Sequence, residues 1–181
     1  MRTELLPSVM ITDDIVPRNE WGEAVIIGGN FVWAYGGFDS YQVALEMTDN
    51  VTAVTTGRMK PEEAKLLKHV PWVMWREWID ILSQFNVGVQ LGTASAGTFN
   101  LNCSFHGIPC IGYSNVNTQR ILHPLTTVNL GEIGRAKDMA RKLVEDDDFY
   151  DECMKTTKEL YDKLYTEDKF VEHFNKVVEL L

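Results

Sequence analysis

The chain has 181 residues, of which 45% are hydrophobic and 24% charged, a balance typical of one soluble globular domain. Its formal net charge of -9 argues against a nucleic-acid partner, because binding to a phosphate backbone needs a basic face. No run approaches the roughly 20 apolar residues of a membrane span and no signal-peptide core is visible, so we expect no membrane span and a cytoplasmic location.

From residue 23 onward, short apolar runs alternate with segments of helical spacing, after a lead-in segment of residues 1–22. Six strands are predicted, in EAVIIGGN, VTAVTT, VPWVMW, VGVQL, IPCIGY and TTVNL. Four helices are predicted between them, in DSYQVALEM with Asp39 or Ser40 as N-cap, PEEAKLLKHV, REWIDILSQF and TFNLNCSFH. Such alternation specifies a doubly wound, Rossmann-like parallel sheet of about six strands with helices on both faces, in the α/β class.

Beyond Gly131 the pattern is wholly helical, in EIGRAKDMARKLVED, DFYDECMKTTKELYDKLY and EDKFVEHFNKVVELL. Acidic residues separate these segments, and a negative charge in the first turn suits the helix dipole. We therefore predict a C-terminal helical tail, residues 131–181, that covers the sheet. Residues 23–181 are then one domain.

Cysteine and histidine are too scattered for a metal centre. The three cysteines, Cys103, Cys110 and Cys153, have no metal-type spacing and are predicted to be buried free thiols. The four histidines show no ligand pattern either. No metal site is predicted.

Three loops follow predicted strands and are candidate binding loops: residues 28–37, 57–60 and 92–99. In open parallel sheets, ligands lie outside the carboxyl ends of the strands, where helix N-termini direct N–H groups at them. The first and third loops lack lysine and arginine, so a phosphate there must be held by backbone amides and the helix dipole. Arg58 is the nearest cation at that edge. Glycines after a strand are also common in tight turns, so a structural role stays open.

Trp72, Trp75 and Trp78 form an aromatic cluster around the third predicted strand and helix. Such a cluster packs in cores and interfaces and can also form a base-stacking wall, so both interpretations stay open. The GxGxxG dinucleotide fingerprint and the P-loop are absent, which disfavours an NAD-binding or ATPase domain.

The order of these motifs resembles the C-terminal, nucleotide-sugar-binding domain of GT-B glycosyltransferases. The likeness spans about residues 23–181 and rests on AVIIGGNF, GGFDSYQVAL, VTAVTTGR, VPWVMWREWIDILSQFNVGVQL and GTFNLNCSFHGIPCIGY, followed by the helical tail. The resemblance implies that the chain binds a nucleotide-diphosphate sugar as its substrate, without a cofactor or a metal ion.

The resemblance also implies which residues hold the donor. Main-chain amides of the loop before the fourth helix would bind the diphosphate, the base would rest against residues 73–76, and Asn102 stands where the family has a ribose-binding glutamate. No catalytic residue is identified. The substrate-binding residues so predicted are Gly29, Asn30, Arg58, Val73, Trp75, Ala96, Gly97, Thr98, Phe99 and Asn102.

The sequence departs from the family pattern at charged positions. Retaining members often carry a second glutamate where this chain has Ala94, and an arginine and a lysine near the first Gly-rich loop, where residues 24–33 are apolar or neutral. A hydrogen bond to a charged group contributes about 1.5 to 3 kcal/mol, so donor binding and leaving-group stabilisation would both be weaker here.

GT-B enzymes have two Rossmann-like domains, and this sequence accounts for one. We expect glycosyl transfer only if an N-terminal acceptor domain, a partner chain or a second copy completes the site. Two alternatives stay open. One is a non-catalytic interaction module that kept the fold and lost the ligand, with Trp33, Tyr35, Trp72 and Trp75 as partner contacts. The other is a flavodoxin-like or other small-molecule-binding α/β domain.

Overall fold

The computed structural model describes residues 8–12, 15, 24–29, 36–54, 61–94 and 97–179. Six parallel strands form one sheet in the order β3-β2-β1-β4-β5-β6, which confirms the predicted α/β fold. They are β1 (Ala24–Ile27), β2 (Val51–Val54), β3 (Lys68–Val70), β4 (Phe85–Gln90), β5 (Cys110–Tyr113) and β6 (Thr127–Val128). Most residues of β1, β4 and β5 are buried, as expected for a parallel sheet covered on both faces.

Helices cover both faces of the sheet, because alternate residues of a strand point to opposite sides. They are α1 (Gly37–Ala44), α2 (Trp75–Leu82), α3 (Thr98–Phe105), α4 (Asn117–Leu122), α5 (Ile133–Glu145), α6 (Asp147–Leu164) and α7 (Glu167–Val178). Val25 and Ile27 of β1 pack in one apolar cluster with residues of α1 and α5, whereas Ile26 packs in a second cluster with residues of α2 and α3. The sheet is therefore doubly wound.

Two predictions for residues 61–75 are wrong. The predicted helix over residues 61–70 is only one 3₁₀ turn at Glu63–Lys65, followed by strand β3. The predicted third strand, residues 70–75, is irregular from 71 to 74, and α2 begins at Trp75. Pro71 accounts for this difference, because proline has no N–H for the ladder and the strand ends before it.

The predicted N-caps of α1 are wrong as well. The helix begins at Gly37, after Gly36 with a φ of 63°, so Asp39 lies in the first turn. Ser40 has another partner, because its hydroxyl oxygen accepts a hydrogen bond from the backbone N–H of Leu91 at 2.9 Å. Helix α4 was not predicted, since its buried face is largely polar and gives no apolar periodicity.

The C-terminal helical tail is confirmed. The carboxylate of Asp146 accepts from the backbone N–H of Phe149 and caps α6, and the hydroxyl of Thr166 accepts from Lys169 N–H and caps α7. α5 and α6 bury apolar side chains against the domain, whereas α7 buries none. All the helices that the structure describes are too short or too polar to cross a bilayer. The three cysteines are free and buried, as predicted.

Candidate functional site

The strand order reverses between β1 and β4, at the centre of the sheet. Ile27 of β1 pairs with Val89 of β4, so the two strands end side by side. The chain leaves β1 towards α1 on one face and leaves β4 towards α3 on the other face. A crevice at such a switch point, outside the carboxyl ends of the strands, is where open α/β sheets bind ligands.

The loops that leave β1 and β4 are joined at the base of this crevice. The backbone N–H of Gly28 donates to the Val89 carbonyl at 2.8 Å, and the Gln90 side chain donates from Nε2 to the Gly28 carbonyl at 3.2 Å. Gly36 lies so close to Leu91 that a Cβ on residue 36 would lie 1.9 Å from the Leu91 carbonyl oxygen. Backbone therefore approaches backbone here, which fixes the described ends of the two loops relative to each other.

Helix α3 begins at the edge of the crevice with three of the predicted residues. Gly97 is its N-cap with a φ of 76°, Thr98 is exposed, and Phe99 is buried. The Phe99 ring fills the space that glycines leave, since a Cβ on Gly28 would lie 2.9 Å from its Cδ1 and a Cβ on Gly88 would lie 3.1 Å from its Cε1. The side chain of Phe99 is thus a packing group, so any contact of this residue with a ligand is limited to its backbone.

The N-terminus of α3 is suited to an anion. The first N–H groups of an α-helix have no partner within the helix, and the helix dipole gives that end a partial positive charge. This end carries no acidic residue in its first turn. The N–H groups of Thr98 and Phe99 can therefore donate to phosphate oxygens.

Gly97 cannot take a side chain, for two reasons. Its φ is in the left-handed region, and a Cβ would lie 2.1 Å from the Thr118 hydroxyl oxygen. The same hydroxyl donates to the Gly97 carbonyl at 2.9 Å. A bulky substitution of Gly97 would therefore disturb the contact between α3 and α4 whether or not a ligand binds.

Asn102, the predicted ribose contact, is buried in the second turn of α3. Its amide donates from Nδ2 to the Thr98 carbonyl at 2.9 Å and accepts at Oδ1 from the Trp78 indole N–H at 2.8 Å, an orientation assigned from these partners. Both polar atoms are thus bound inside the protein. Trp78 is half-buried, and its bond to Asn102 links α2 to α3.

A cavity of about 290 Å³ lies beside the α3 N-terminus and brings two predicted residues together, Trp75 and Thr98. Its other walls are Leu101 and the segment of residues 8–11. The Trp75 indole N–H donates to the Ile11 carbonyl at 3.1 Å and holds this segment in place. The wall formed by residues 8–11 was not predicted, because nothing in their local pattern indicates a contact with helices so distant in the chain.

The remaining predicted residues are distributed around the crevice or fall outside the described residues. Gly29 is buried at the end of β1, and Val73 is half-buried in the irregular segment before α2. Asn30, Arg58 and Ala96 lie outside the described residues. In the described ranges, no three His, Cys, Asp or Glu side chains come together in a group that could hold a metal ion.

A buried polar cluster lies beneath the first turn of α3. Burial lowers the pKa of His123 to about 4, although its bond to the Asn100 carbonyl opposes this shift. Its Nδ1 accepts from the Cys110 backbone N–H at 3.2 Å, so the proton is on Nε2, which donates to the Asn100 carbonyl at 2.9 Å. At the end of β5, burial and then the nearby Asp39 carboxylate raise the pKa of Tyr113. Both groups are therefore neutral at neutral pH.

No protein-family model and no curated protein matches the chain. Solved structures do match. A variant of S. aureus TarM, in a complex that includes UDP, has a TM-score of 0.72 and 11% identity, over 94% of this chain and 38% of TarM. Anabaena HepE with UDP-glucose has a TM-score of 0.70 and 10% identity, over 88% of this chain and 49% of HepE.

The third match is a domain by itself. It is the C-terminal domain of LpcC, a glycosyl transferase group 1 family protein from Francisella tularensis, with a TM-score of 0.63 and 13% identity over 86% of this chain and 90% of that one. This chain thus spans less than half the length of TarM or HepE, with 38% and 49% covered, but nearly all of an excised C-terminal domain. The chain has the fold of the C-terminal domain of GT-B glycosyltransferases, as the sequence resemblance implied.

Proposed function

We propose that the chain is the donor-binding domain of a GT-B-type glycosyltransferase and that its substrate is a nucleotide-diphosphate sugar. The observation that supports this most strongly is the α3 N-terminus at the switch point between β1 and β4. TarM and HepE share the fold, and their structures contain UDP or UDP-glucose. A helix N-terminus at such a point is suited to a diphosphate.

In the proposed complex, the diphosphate accepts hydrogen bonds from backbone N–H groups of residues 96–99. The nucleoside occupies the cavity of about 290 Å³ next to Trp75, close to the lower limit of about 300 Å³ for ligand pockets. Val73 supports the base from the segment after β3. Asn102 is left out of the proposed contact set, because its buried amide already donates to the Thr98 carbonyl and accepts from Trp78.

Gly29 and Asn30 on the loop after β1, and Arg58 after β2, complete the proposed contact set. Arg58 is its one cation, in a chain of net charge -9. The proposal includes no cofactor and no metal ion. Because the chain spans 38% of TarM and 49% of HepE, glycosyl transfer is proposed to require an acceptor domain from a longer polypeptide, a partner chain or a second copy.

Nucleotide binding tests this function directly. UDP, GDP, ADP, uridine and UDP-glucose at millimolar concentration are compared by thermal unfolding, since a bound ligand adds RT ln(1 + [L]/Kd) to the free energy of unfolding. At least one diphosphate should raise the melting temperature, and uridine should raise it less than UDP. If none of the diphosphates changes it, the donor-binding function is wrong.

Thr98 gives a matched pair of variants for the same test. Thr98→Glu adds a carboxylate in the first turn of α3, where it suits the helix dipole but repels a diphosphate. We expect the affinity for the diphosphate to fall at least about tenfold without a loss of stability. Thr98→Gln has nearly the same shape without the charge and should bind almost as the unmodified chain does. Equal binding by both variants would place the diphosphate elsewhere.

A non-catalytic interaction module is the second candidate function. The observation that favours it is the exposure of two large apolar side chains between β3 and α2, Trp72 at 80% and Met74 at 66%. Aromatic residues and methionine are enriched at protein interfaces. A chain that binds no nucleotide, but whose partner binding is lost in Trp72→Ser, would favour this module over the donor-binding domain.

A further inference from the structure

Helix α4 packs against the first turn of α3 and forms hydrogen bonds with its backbone. The Thr118 hydroxyl donates to the Gly97 carbonyl at 2.9 Å, and the same carbonyl accepts the backbone N–H of Leu101 at 3.1 Å. Gly97 has the positive φ and the missing side chain that this approach of Thr118 requires. The N-cap of α3 is therefore fixed by a side chain from another helix rather than by a side chain of its own, since α3 has no side-chain cap.

Two further hydrogen bonds reach Asn100, in the same turn. Its amide Nδ2 donates to Oε1 of Gln119 at 2.7 Å, and its backbone carbonyl accepts from Nε2 of His123 at 2.9 Å. Asn100, Gln119 and His123 are all at most 1% exposed, so water does not compete with these bonds. Three side chains of the α4 region, those of Thr118, Gln119 and His123, thus bind the first turn of α3.

The α4 region is itself fixed to the sheet. The Gln119 amide donates from Nε2 to the Cys110 carbonyl of β5 at 2.7 Å. Gly112 of β5 leaves room for this side chain, because a Cβ there would lie 2.7 Å from Oε1 of Gln119. The first turn of α3 is therefore connected through α4 to strand β5.

All three bonds engage carbonyl groups or the Asn100 side chain of this turn and leave the N–H groups of Thr98 and Phe99 to a ligand. Donors held in advance at the position of an anion bind it without a cost of reorganisation. Holding the donors in place in advance matters most where no lysine or arginine is present, as in the described parts of the loops after β1 and β4.

We propose that Thr118 and Gln119 are positioning residues for the diphosphate, which act by fixing the orientation of the first turn of α3. The inference rests on the proposed donor-binding function. Neither side chain needs to touch the ligand. Both act through the backbone of residues 97–100.

Removal of the Thr118 hydroxyl tests the proposal. In Thr118→Ala, we expect the affinity for UDP to fall about tenfold, the equivalent of one lost hydrogen bond, while the affinity for uridine is unchanged. Thr118→Ser restores the hydroxyl and should return the affinity for UDP to within about twofold of the unmodified chain. Calorimetric titration at a temperature well below the melting transition measures both ligands.

Thr157→Ala is the matched control. Thr157 is also a buried threonine, and its hydroxyl contacts Nδ1 of His123 at 3.1 Å, but it lies in α6 and makes this bond away from α3. We expect this variant to lose stability and keep its affinity for UDP. The positioning role is wrong if Thr157→Ala weakens UDP binding as much as Thr118→Ala does, or if Thr118→Ala weakens UDP and uridine equally.

Hydrogen exchange separates this proposal from the function on which it rests. The backbone N–H of Leu101 shares its acceptor, the Gly97 carbonyl, with Thr118. It should exchange at least about tenfold faster in Thr118→Ala and unchanged in Thr118→Ser and Thr157→Ala. If the unmodified chain binds no diphosphate but exchange follows this pattern, only the donor-binding function fails. Unchanged exchange in Thr118→Ala overturns the positioning role itself.

Discussion

The backbone of Gly36 lies against the backbone of Leu91 at the crevice, since a Cβ on residue 36 would lie 1.9 Å from the Leu91 carbonyl oxygen. Gly36 also has a φ of 63°, which costs a residue with a side chain about 1 to 2 kcal/mol. Gly36→Ala adds both this strain and an overlap with backbone, so we expect the free energy of unfolding to fall by about 2 to 5 kcal/mol. Urea denaturation measures this change.

Gly131→Ala is its control. Gly131 has a similar φ of 83°, but nothing lies within 4 Å of the Cβ position. The strain is thus kept and the overlap removed, and the expected loss is about 1 to 2 kcal/mol. Equal losses in the two variants would contradict the close approach of Gly36 to Leu91.

The unfolding free energy should depend on pH through His123. Burial lowers its pKa to about 4 in the folded protein, against 6.5 when it is exposed, so the unfolded chain binds the proton more readily. The neutral histidine contributes its full stability above pH 6.5, and this contribution is lost as the pH falls towards 4 and through it. The expected difference is about 3 kcal/mol.

Denaturation of the unmodified chain and of His123→Gln between pH 4 and pH 7.5 measures this dependence. Glutamine keeps a donor and an acceptor without a titrating group, so the stability of the variant should fall less steeply towards low pH. Burial also lowers the pKa of His69, so part of the slope should remain in the variant. Identical slopes would mean that His123 is protonated equally in both states.

Phe99 should be important for stability and Thr98 should not. The Phe99 ring packs between α3 and the glycines of β1 and β4, so Phe99→Ala should cost about 3 to 5 kcal/mol. Thr98 is exposed next to it, and Thr98→Ala should change stability by less than about 0.5 kcal/mol. Thermal and urea unfolding of both variants check the comparison, and a small cost for Phe99→Ala would contradict the packed position of the ring.

Trp78 and Asn102 should be coupled in stability rather than in ligand binding. Trp78→Phe leaves the Asn102 oxygen buried without its donor, at a cost of about 1 to 3 kcal/mol. A double-mutant cycle with Asn102→Leu should give a favourable coupling energy between the two residues. The affinity for UDP should not change in either single variant.

A loss of UDP binding in Asn102→Leu would instead assign Asn102 to the ligand site. If Asn102→Leu keeps the stability of the chain and loses affinity for UDP but not for 2′-deoxy-UDP, then Asn102 contacts the ribose, as the sequence resemblance implied. Its bond to Trp78 would then open when the ligand binds.

Elements whose pattern is determined by burial alone were predicted correctly from the sequence. Strands β1, β4 and β5 are mostly apolar and buried, and the three tail helices have apolar positions at helical spacing and acidic residues at or next to their N-termini. The prediction is wrong at β3, an edge strand with the sequence KHV, because the helix predicted over residues 61–70 included these three residues. Helix α4, whose buried side chains are Thr118, Gln119 and Leu122, was not predicted.

The candidate site was likewise predicted only in part. Small residues before an apolar helix indicated the α3 N-terminus, because that signal is local in the sequence. The bond from Trp78 to Asn102 and the wall formed by residues 8–11 depend on residues far apart in the chain. Only the packing of α2, α3 and the N-terminal segment brings these residues together, and no local pattern contains that information.

The pairing of β1 with β4 has a consequence for how the chain acquires its crevice. β1 is synthesised before β4. Val25 can therefore pair with Val51 of β2 before its second partner, Val87 of β4, has been made. Closing so long a stretch of chain is slower than forming local contacts. A nascent or truncated polypeptide that ends before Phe85 can pair β1 with β2 and still has no crevice, so a nucleotide that binds as proposed would bind only after β4 has joined β1.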